Sequence, residues 1–325
     1  MARGKALEAT LARLAAARAE PTSPASIELL REVLAGRSSH AAAQAAAIAA
    51  AHEIAALTPA LVAAFEHFLE DPIKRDPGCA AKQAIADALY RIGAPDVAVY
   101  ERGIRHVQLE PVFGGKQDAA VQLRGTCALA LVRVHHPDYL LALAELLADR
   151  EAPARRMAAQ ALGYSENPAA QPLLRLKALL GDEEPQVLSE CLLALLAIAP
   201  QASLDFVAAF LDRRPPEIAE AAALALGGAR LPAALPLLIA WWERTFDADL
   251  RRTALLAIAM LKTEAALDHL LGLVADAAAP HATAAIAALA LYRHDARLHA
   301  RVAAALAARR DPALERAFGE TFGDR

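Results

Sequence analysis

Apolar residues along the chain repeat with a period of about thirty residues. A ten-residue pattern has alanine at its eighth position and leucine or isoleucine at its ninth, in copies that begin at Leu123, Ala154, Val187, Ile218, Leu250 and His281. Successive copies begin 31, 33, 31, 32 and 31 residues apart. Weaker copies begin at His40 and Ala81, which gives eight in all. Self-similarity at such a period indicates a repeat architecture.

A second helical pattern lies between the copies, so the repeating unit is a pair of helices joined by short turns. Examples are Asp138–Leu147, Gln171–Leu180 and Ala233–Trp242. Within the six stronger copies, position five shares a helical face with positions eight and nine, and it is always small: Cys127, Ala158, Cys191, Ala222, Ala254 and Ala285. One short pair cannot bury its apolar face, whereas stacked pairs can. The pattern predicts an all-α fold, a right-handed α-solenoid of about eight helical hairpins.

The repeats also predict the domain organisation. Residues 1–38 are expected to form N-terminal capping helices, residues 39–310 the solenoid, and residues 311–325 a C-terminal cap and tail. About ten extra residues separate each weak copy from the next, and the longer insertion lies at about 95–118. Insertions in repeat arrays gather on one face and often bind partners. The alternative is a structural bridge between repeats.

Composition and charge restrict the function classes. Of the 325 residues, 56% are hydrophobic and only 5% aromatic, with a net charge of −4 and a pI near 6.2. Because phosphate binding needs a basic surface, nucleic-acid binding is not expected. There is no apolar leader and no long apolar run, so neither secretion nor membrane insertion is expected. The three cysteines form no CxxC motif, which is typical of the cytoplasm.

The copies at Leu123, Ala154 and Leu250, which read LRGTCALALV, ARRMAAQALG and LRRTALLAIA, resemble bacterial HEAT repeats of the phycobilisome-lyase-like class. The resemblance extends over about residues 40–310. Arg124, Arg155 and Arg251 match the arginine of the family motif, and acidic residues precede them: Asp118, Glu151 and Asp249. Other copies have Leu188, Ala219 and Ala282 instead, so the acid–arginine ladder of the family is expected to be broken. The resemblance implies an α-solenoid that acts mostly as a binding scaffold.

The sequence offers little support for catalysis. Deoxyhypusine hydroxylase, a HEAT relative, needs several His-Glu pairs, whereas here only His52-Glu53 has that form, with Glu66, His67 and Glu70 nearby. The stretch Gly114-Gly115-Lys116 fails the phosphate-loop pattern. HEAT-like DNA glycosylases need a basic face with aromatic residues, and Trp241-Trp242 is the only tryptophan pair; one tryptophan is expected inside and the other exposed. No catalytic residue, cofactor or metal is therefore expected, and the chain is predicted not to be an enzyme.

Partner binding is the function that the sequence favours. Motif positions three and seven point away from the predicted core, and leucines at position seven could form an apolar groove or fill the seam between repeats. The expected partner-binding residues lie in the insertion and on the motif helices: Arg102, Arg105, His106, Phe113, Lys116, Arg156, Gln160, Leu193, Glu220, Leu224, Arg252 and Leu256.

The chain is thus predicted to be a non-catalytic scaffold or regulatory adaptor that binds a protein or peptide on its concave face and inserted loop. The alternatives are an enzyme or lyase-like subunit on a HEAT scaffold, metal-dependent or bilin-lyase-like, and nucleic-acid binding. The oligomeric state does not follow from the sequence.

Overall fold

The structure is a computed structural model that describes residues 2–307 and 309–323, without the side chains of residues 2–6. The chain divides into two compact units, unit 1 at residues 1–165 and unit 2 at residues 166–325. Each unit is an all-α stack of helical hairpins, which confirms the α-solenoid class. Within the described residues, no helix is both long and apolar enough to span a bilayer.

Within its described residues, unit 1 contains ten α-helices and one β-hairpin. The helices are α1 (Ala2–Ala17), α2 (Pro24–Leu34), α3 (Ser39–Ala51), α4 (Thr58–Leu69), α5 (Pro72–Arg75), α6 (Ala80–Ile92), α7 (Val97–Ile104), α8 (Val121–Arg133), α9 (Tyr139–Leu147) and α10 (Ala152–Tyr164), and the strands are β1 (Leu109–Val112) and β2 (Gly115–Asp118). The four motif helices α3, α6, α8 and α10 pack side by side in that order.

Unit 2 contains ten helices within its described residues. They are α11 (Gln171–Leu180), α12 (Pro185–Ile198), α13 (Pro200–Ala208), α14 (Pro216–Gly228), α15 (Ala234–Arg244), α16 (Ala248–Met260), α17 (Glu264–Asp276), α18 (Ala279–Leu289), α19 (Ala296–Ala307) and α20 (Pro312–Phe322). The motif helices α12, α14, α16 and α18 stack in order, and α20 packs against α18.

The repeated alanines and leucines form the core of both units. All six aligned alanines are buried: Ala130, Ala161, Ala194, Ala225, Ala257 and Ala288. The leucines or isoleucine that follow them are buried as well, and so are the small residues at position five. Small side chains at position five let neighbouring helices approach closely, and the leucines at position nine fill the remaining space. All eight copies lie on helices, so the repeat pattern is confirmed.

Local signals set the helix boundaries. Proline occupies the first turn of many helices, where its missing N–H leaves no hydrogen bond unmade. Side-chain oxygens of Ser23, Ser38, Asp247, Thr263 and Asp311 cap five helix N-termini by accepting backbone N–H groups. These caps and prolines keep the connections short, so consecutive helices pack antiparallel as hairpins.

The β-hairpin is the one departure from the predicted all-α fold among the described residues. β1 pairs antiparallel with β2, and Val112 lies opposite Gly115. The two-residue turn between them consists of Phe113 and Gly114, whose φ of +86° favours glycine. The segment marked as an insertion, 95–118, therefore holds a regular helix, α7, followed by this hairpin. The thirty-residue repeat predicts no strands in this segment, because a strand of only four residues leaves no clear pattern in the sequence.

The terminal caps remain predictions. Helices α1 and α2 occupy the predicted N-terminal cap, and α20 occupies the predicted C-terminal one. The first residue of the former and residues 324–325 of the latter lie outside the described residues, as does residue 308 of the predicted solenoid.

Candidate partner-binding surfaces

A buried arginine holds the hairpin of unit 1 against the helical stack. The Arg124 side chain is 2% exposed, and Nη1 donates to Asp118 Oδ2 at 2.7 Å and to the His106 carbonyl at 2.9 Å. Nη2 donates to Asp149 Oδ1 at 3.1 Å. Nε lies 2.8 Å from Asp149 Oδ2, as an ion pair whose N–H is poorly aligned for a hydrogen bond. One guanidinium thus joins the residues before β1, the end of β2 and the turn after α9.

Asp118, the last residue of β2, is the hairpin residue that pairs with Arg124. Its Oδ1 accepts the backbone N–H groups of Gln108 and Ala120 at 3.0 and 2.9 Å. Burial alone would raise the pKa of Asp118, but these two hydrogen bonds and Arg124 outweigh it, so the pKa is lowered. The carboxylate therefore stays charged at neutral pH and bonds both ends of the hairpin.

A second buried pair ties the hairpin to the segment before α6. Asp76 and Lys82 are fully buried and form an ion pair of 2.8 Å. Gln108 Nε2 donates to the Asp76 carbonyl at 2.8 Å and to Glu110 Oε1 at 2.6 Å. The same Glu110 oxygen accepts the Gly78 N–H at 2.7 Å. The two insertions of unit 1 are thus joined to each other as well as to the repeats.

Apolar side chains are exposed on this braced hairpin. Phe113, at the turn, is fully exposed. Four more apolar side chains on the hairpin and near it are about half exposed: Ile73, Val107, Leu109 and Val112. We call these five residues the hairpin patch. Phe113 is predicted from the sequence and the other four residues are not; the glycine turn after Val112, which indicates a hairpin, was the available signal for the residues on the strands.

The other insertion residues predicted to bind a partner have internal roles or partners, apart from one lysine. Arg102 and Arg105 are exposed, but Arg102 pairs with Glu66 of α4, and Arg105 Nε lies 3.4 Å from Glu145 of α9. His106 is half-buried and its ring nitrogen lies 3.2 Å from Gln108 Oε1. Burial lowers the pKa of His106, so it is neutral at pH 7. Lys116 is exposed on β2. An acidic partner would have to displace Glu66 and Glu145 from the two arginines.

Arg105 also lines two open grooves beside the hairpin. One, of about 570 Å³, is lined by Leu69, Glu101, Arg102, Arg105 and His106. The other, of about 200 Å³, includes Arg124 and Asp149 among its lining residues. The charged groups of these grooves are already paired, which leaves the hairpin patch as the more accessible feature.

In unit 2, the predicted leucines form a partly exposed row. Leu193 and Leu256 are each 38% exposed, on α12 and α16, and Leu224 on α14 is half-buried. Gly228 of α14 lies beside Leu193. These leucines therefore contribute both to the seam between helices and to the surface, so the two sequence interpretations are compatible.

The polar candidates on the motif helices lie at the surface. Arg156 and Gln160 are exposed on α10 of unit 1, and Glu220 is half-buried on α14 of unit 2. Arg252 is exposed on α16 and pairs with Asp249. None of these four has an environment that sets it apart from an ordinary surface residue, so their binding role stays a prediction.

The residues considered for catalysis do not form a metal site in the described part of the chain, which contains no group of three or more His, Cys, Asp or Glu side chains suited to a metal ion. Arg75 Nη1 donates a hydrogen bond to His67 Nδ1 at 3.1 Å. Trp241 and Trp242 are both buried, so the expectation that one of them is exposed is wrong. The two side chains pack on different sides of α15, and both sides are covered by neighbouring helices.

The three cysteines are structural. Cys79, Cys127 and Cys191 are buried and unbridged. Burial raises the pKa of all three thiols, to about 12 for Cys79 and for Cys191. The thiols are therefore protonated at neutral pH and act as small apolar side chains.

The comparison with family models identifies HEAT repeats, which match residues 142–224 and 205–290. No curated protein matches the sequence. Among solved structures, the chain is similar to the complex of CpcE and CpcF of phycocyanin lyase from Nostoc sp. PCC7120, with 20% identity, a TM-score of 0.37, and coverage of 70% of this chain and 88% of the other. It is also similar to human deoxyhypusine hydroxylase, with 20% identity, a TM-score of 0.31, and coverage of 79% and 91%.

These comparisons correct one prediction. The chain was expected not to be an enzyme, but both solved structures are of enzymes, a lyase and a hydroxylase. At 20% identity neither likeness assigns an activity to this chain. The repeats themselves are established by the family match, the buried motif positions and the stacked hairpins. HEAT repeats are therefore present in this chain, over residues 142–224 and 205–290.

Proposed function

We propose that the protein binds a protein or peptide partner through the hairpin patch, with Phe113 as the central contact. The observation that carries the proposal is a fully exposed phenylalanine at the turn of a hairpin that buried polar contacts hold in place. Covering an exposed aromatic side chain with a partner removes apolar surface from water, which favours binding. Aromatic residues are also enriched in protein interfaces.

The bracing of the hairpin supports this function energetically. A flexible loop loses conformational entropy on binding, at a cost of about 0.5–1.5 kcal/mol for each side chain that becomes ordered. Here the Arg124 and Asp76 contacts order the hairpin before any partner arrives. The net charge of −4 and the apolar character of the patch favour a protein partner over nucleic acid.

The row formed by Leu193, Leu224 and Leu256 would provide a second contact surface, in unit 2. Partly exposed leucines recur on three successive motif helices there. Contiguous apolar surface of this kind is typical of interaction sites. Unbridged cysteines are typical of proteins that work in the reducing cytoplasm, which is the location we propose.

Affinity capture from an extract of the native host tests the role of Phe113. The bait would be the wild type, Phe113→Ala or the matched control Phe246→Ala, which removes a phenylalanine that is 94% exposed in unit 2. We expect Phe113→Ala to lose at least tenfold of a partner that the wild type and Phe246→Ala recover equally. Equal recovery by all three baits would overturn the proposal, provided that their unfolding midpoints agree.

A further inference from the structure

Arg251 occupies the same motif position in unit 2 as Arg124 does in unit 1, but it has no carboxylate partner. Its Nε donates to the Thr245 carbonyl at 2.6 Å, and its Nη1 lies 2.7 Å from His281 Nε2. Among the described residues, no Asp or Glu lies within ion-pair distance of Arg251, and its Nη2 has no hydrogen-bond partner. Of the five N–H groups of the guanidinium, three remain for a ligand.

Three neighbouring helices place aromatic rings around this arginine. The guanidinium carbon lies 5.3 Å from the centre of the Trp242 ring of α15. The rings of His281 of α18 and His269 of α17 meet the same tryptophan edge to face, at 5.4 and 6.3 Å. Burial lowers the pKa of His269, which is therefore neutral at pH 7. Arg251, on α16, is half-buried, so its charge is partly covered by apolar surface but remains accessible from solvent.

Two further polar atoms of this cluster are unsatisfied. Trp242 Nε1 and His269 Nε2 are buried and have no hydrogen-bond partner in the part of the chain that the structure describes. Leaving a buried donor unpaired costs about 1–3 kcal/mol, so such atoms in a native fold call for an explanation. The cluster combines an arginine that has no carboxylate within ion-pair distance among the described residues with two ring nitrogens that lack partners there, and the charge of Glu243 acts on His269.

We propose that Arg251, supported by Trp242, is a binding site for a carboxylate. A carboxylate matches the planar guanidinium in charge and shape, and it is the group that Asp118 presents to Arg124 at the equivalent position of unit 1. One arginine among neutral rings complements one negative charge better than the two of a phosphate dianion. This site goes beyond the function proposed for the hairpin patch, and its carboxylate could belong to a small acid or to a glutamate or aspartate of a protein.

Tryptophan fluorescence tests the site directly, because the two tryptophans of the chain, Trp241 and Trp242, both lie on α15. The probes are sodium acetate against sodium chloride at constant ionic strength, and the peptide Ac-Ala-Glu-Ala-NH2 against its glutamine analogue. We expect a saturable change with acetate or with the glutamate peptide in the wild type. A stronger response to acetate would indicate a small free acid as the source of the carboxylate. A stronger response to the peptide would indicate a side chain of a protein.

Matched variants complete the experiment. Arg251→Gln should weaken the response at least tenfold, Arg251→Lys should retain part of it, and Arg316→Gln, which changes an exposed arginine of α20, should leave it unchanged. The same thermal midpoint in all variants shows that folding is intact. An equal response in Arg251→Gln, or no response in the wild type beyond those to chloride and the glutamine peptide, would overturn the proposal. Tighter binding of inorganic phosphate than of acetate would overturn the choice of a carboxylate.

Discussion

Arg124 of unit 1 and Arg251 of unit 2 share a motif position but have different environments. Arg124 is buried between two carboxylates and anchors the β-hairpin, whereas Arg251 is half-buried and bonded to a backbone carbonyl and a histidine ring. Unit 1 also contains the fully buried ion pair of Asp76 and Lys82, whereas the Lys177–Asp182 pair of unit 2 leaves the lysine side chain 18% exposed. A repeat position thus becomes structural where neighbouring turns supply acids, and remains available for a ligand where they do not.

The largest expected effect comes from removing the two arginines in turn. Arg124→Met leaves Asp118 and Asp149 without their partner in a buried site, which should cost about 3–5 kcal/mol of unfolding free energy. Arg251→Met removes a half-buried group with no ion pair and should cost about 1 kcal/mol or less. Urea unfolding followed by circular dichroism measures both. Similar losses in the two variants would remove the distinction between the sites.

Unit 2 should instead be sensitive to the spacing of its helices. A Cβ on Gly227 would lie 2.5 Å from the Ala257 carbonyl oxygen, whereas a Cβ on its neighbour Gly228 would make ordinary contact with Leu193 at 3.5 Å. Gly227→Ala must therefore separate α14 from α16, at a cost of about 1–3 kcal/mol. Gly228→Ala should instead stabilise the helix by up to about 1 kcal/mol. Equal unfolding midpoints for the two variants would show that the helices do not meet this closely.

Acid should weaken the Arg124 network in a defined pH range. The folded-state pKa of Asp118 lies below the unfolded value of about 3.9, so its contribution is complete above that pH and is lost as the pH falls toward the folded pKa. Asp118→Asn should be less stable than the wild type at pH 7, and the difference should shrink below about pH 4. Urea unfolding at several pH values gives the difference. A difference independent of pH would mean that the charge of Asp118 is not what stabilises the hairpin.

The smallest expected effect is a change in thiol labelling, which shows which unit is loosened by a substitution. Cys79 and Cys127 lie in unit 1 and Cys191 in unit 2, all buried with raised pKa values, so none should react with iodoacetamide in the native protein. Arg124→Met should expose the two thiols of unit 1 first, and Gly227→Ala that of unit 2. Peptide mass spectrometry identifies the labelled residues. Uniform labelling in both variants would contradict a local effect.

The regular part of the fold was predictable from sequence because its signal is repeated. The spacing of Ala130, Ala161 and their equivalents predicts which segments are helical, which face of each helix is buried and that the helices stack. All of these alanines are buried in the structure. The β-hairpin was not predicted as strands, because it has a single copy of two four-residue strands and depends on the distant partners of Arg124.

The sites were less predictable because they depend on which residues meet across the repeats. Sequence selected Phe113 from its position in an insertion, but the pairing of Arg102 with Glu66 joins residues 36 positions apart and has no local signal. Arg251 was recognised as a motif arginine, yet its lack of a carboxylate depends on which side chains surround it. Trp242 is buried for a similar reason, since α16, α17 and α18 supply the side chains around it.

Hydrogen exchange over residues 105–120 tests most directly whether the hairpin is ordered before a partner binds. Several backbone amides there are bonded in the isolated protein, including those of Gln108 and Ala120 to Asp118 and that of Ala119 to the Gln108 carbonyl. We expect these amides to exchange much more slowly than an unstructured peptide, and to lose that protection in Arg124→Met while α3 keeps its own. Exchange of the wild-type hairpin at the unstructured rate would contradict a preformed site around Phe113.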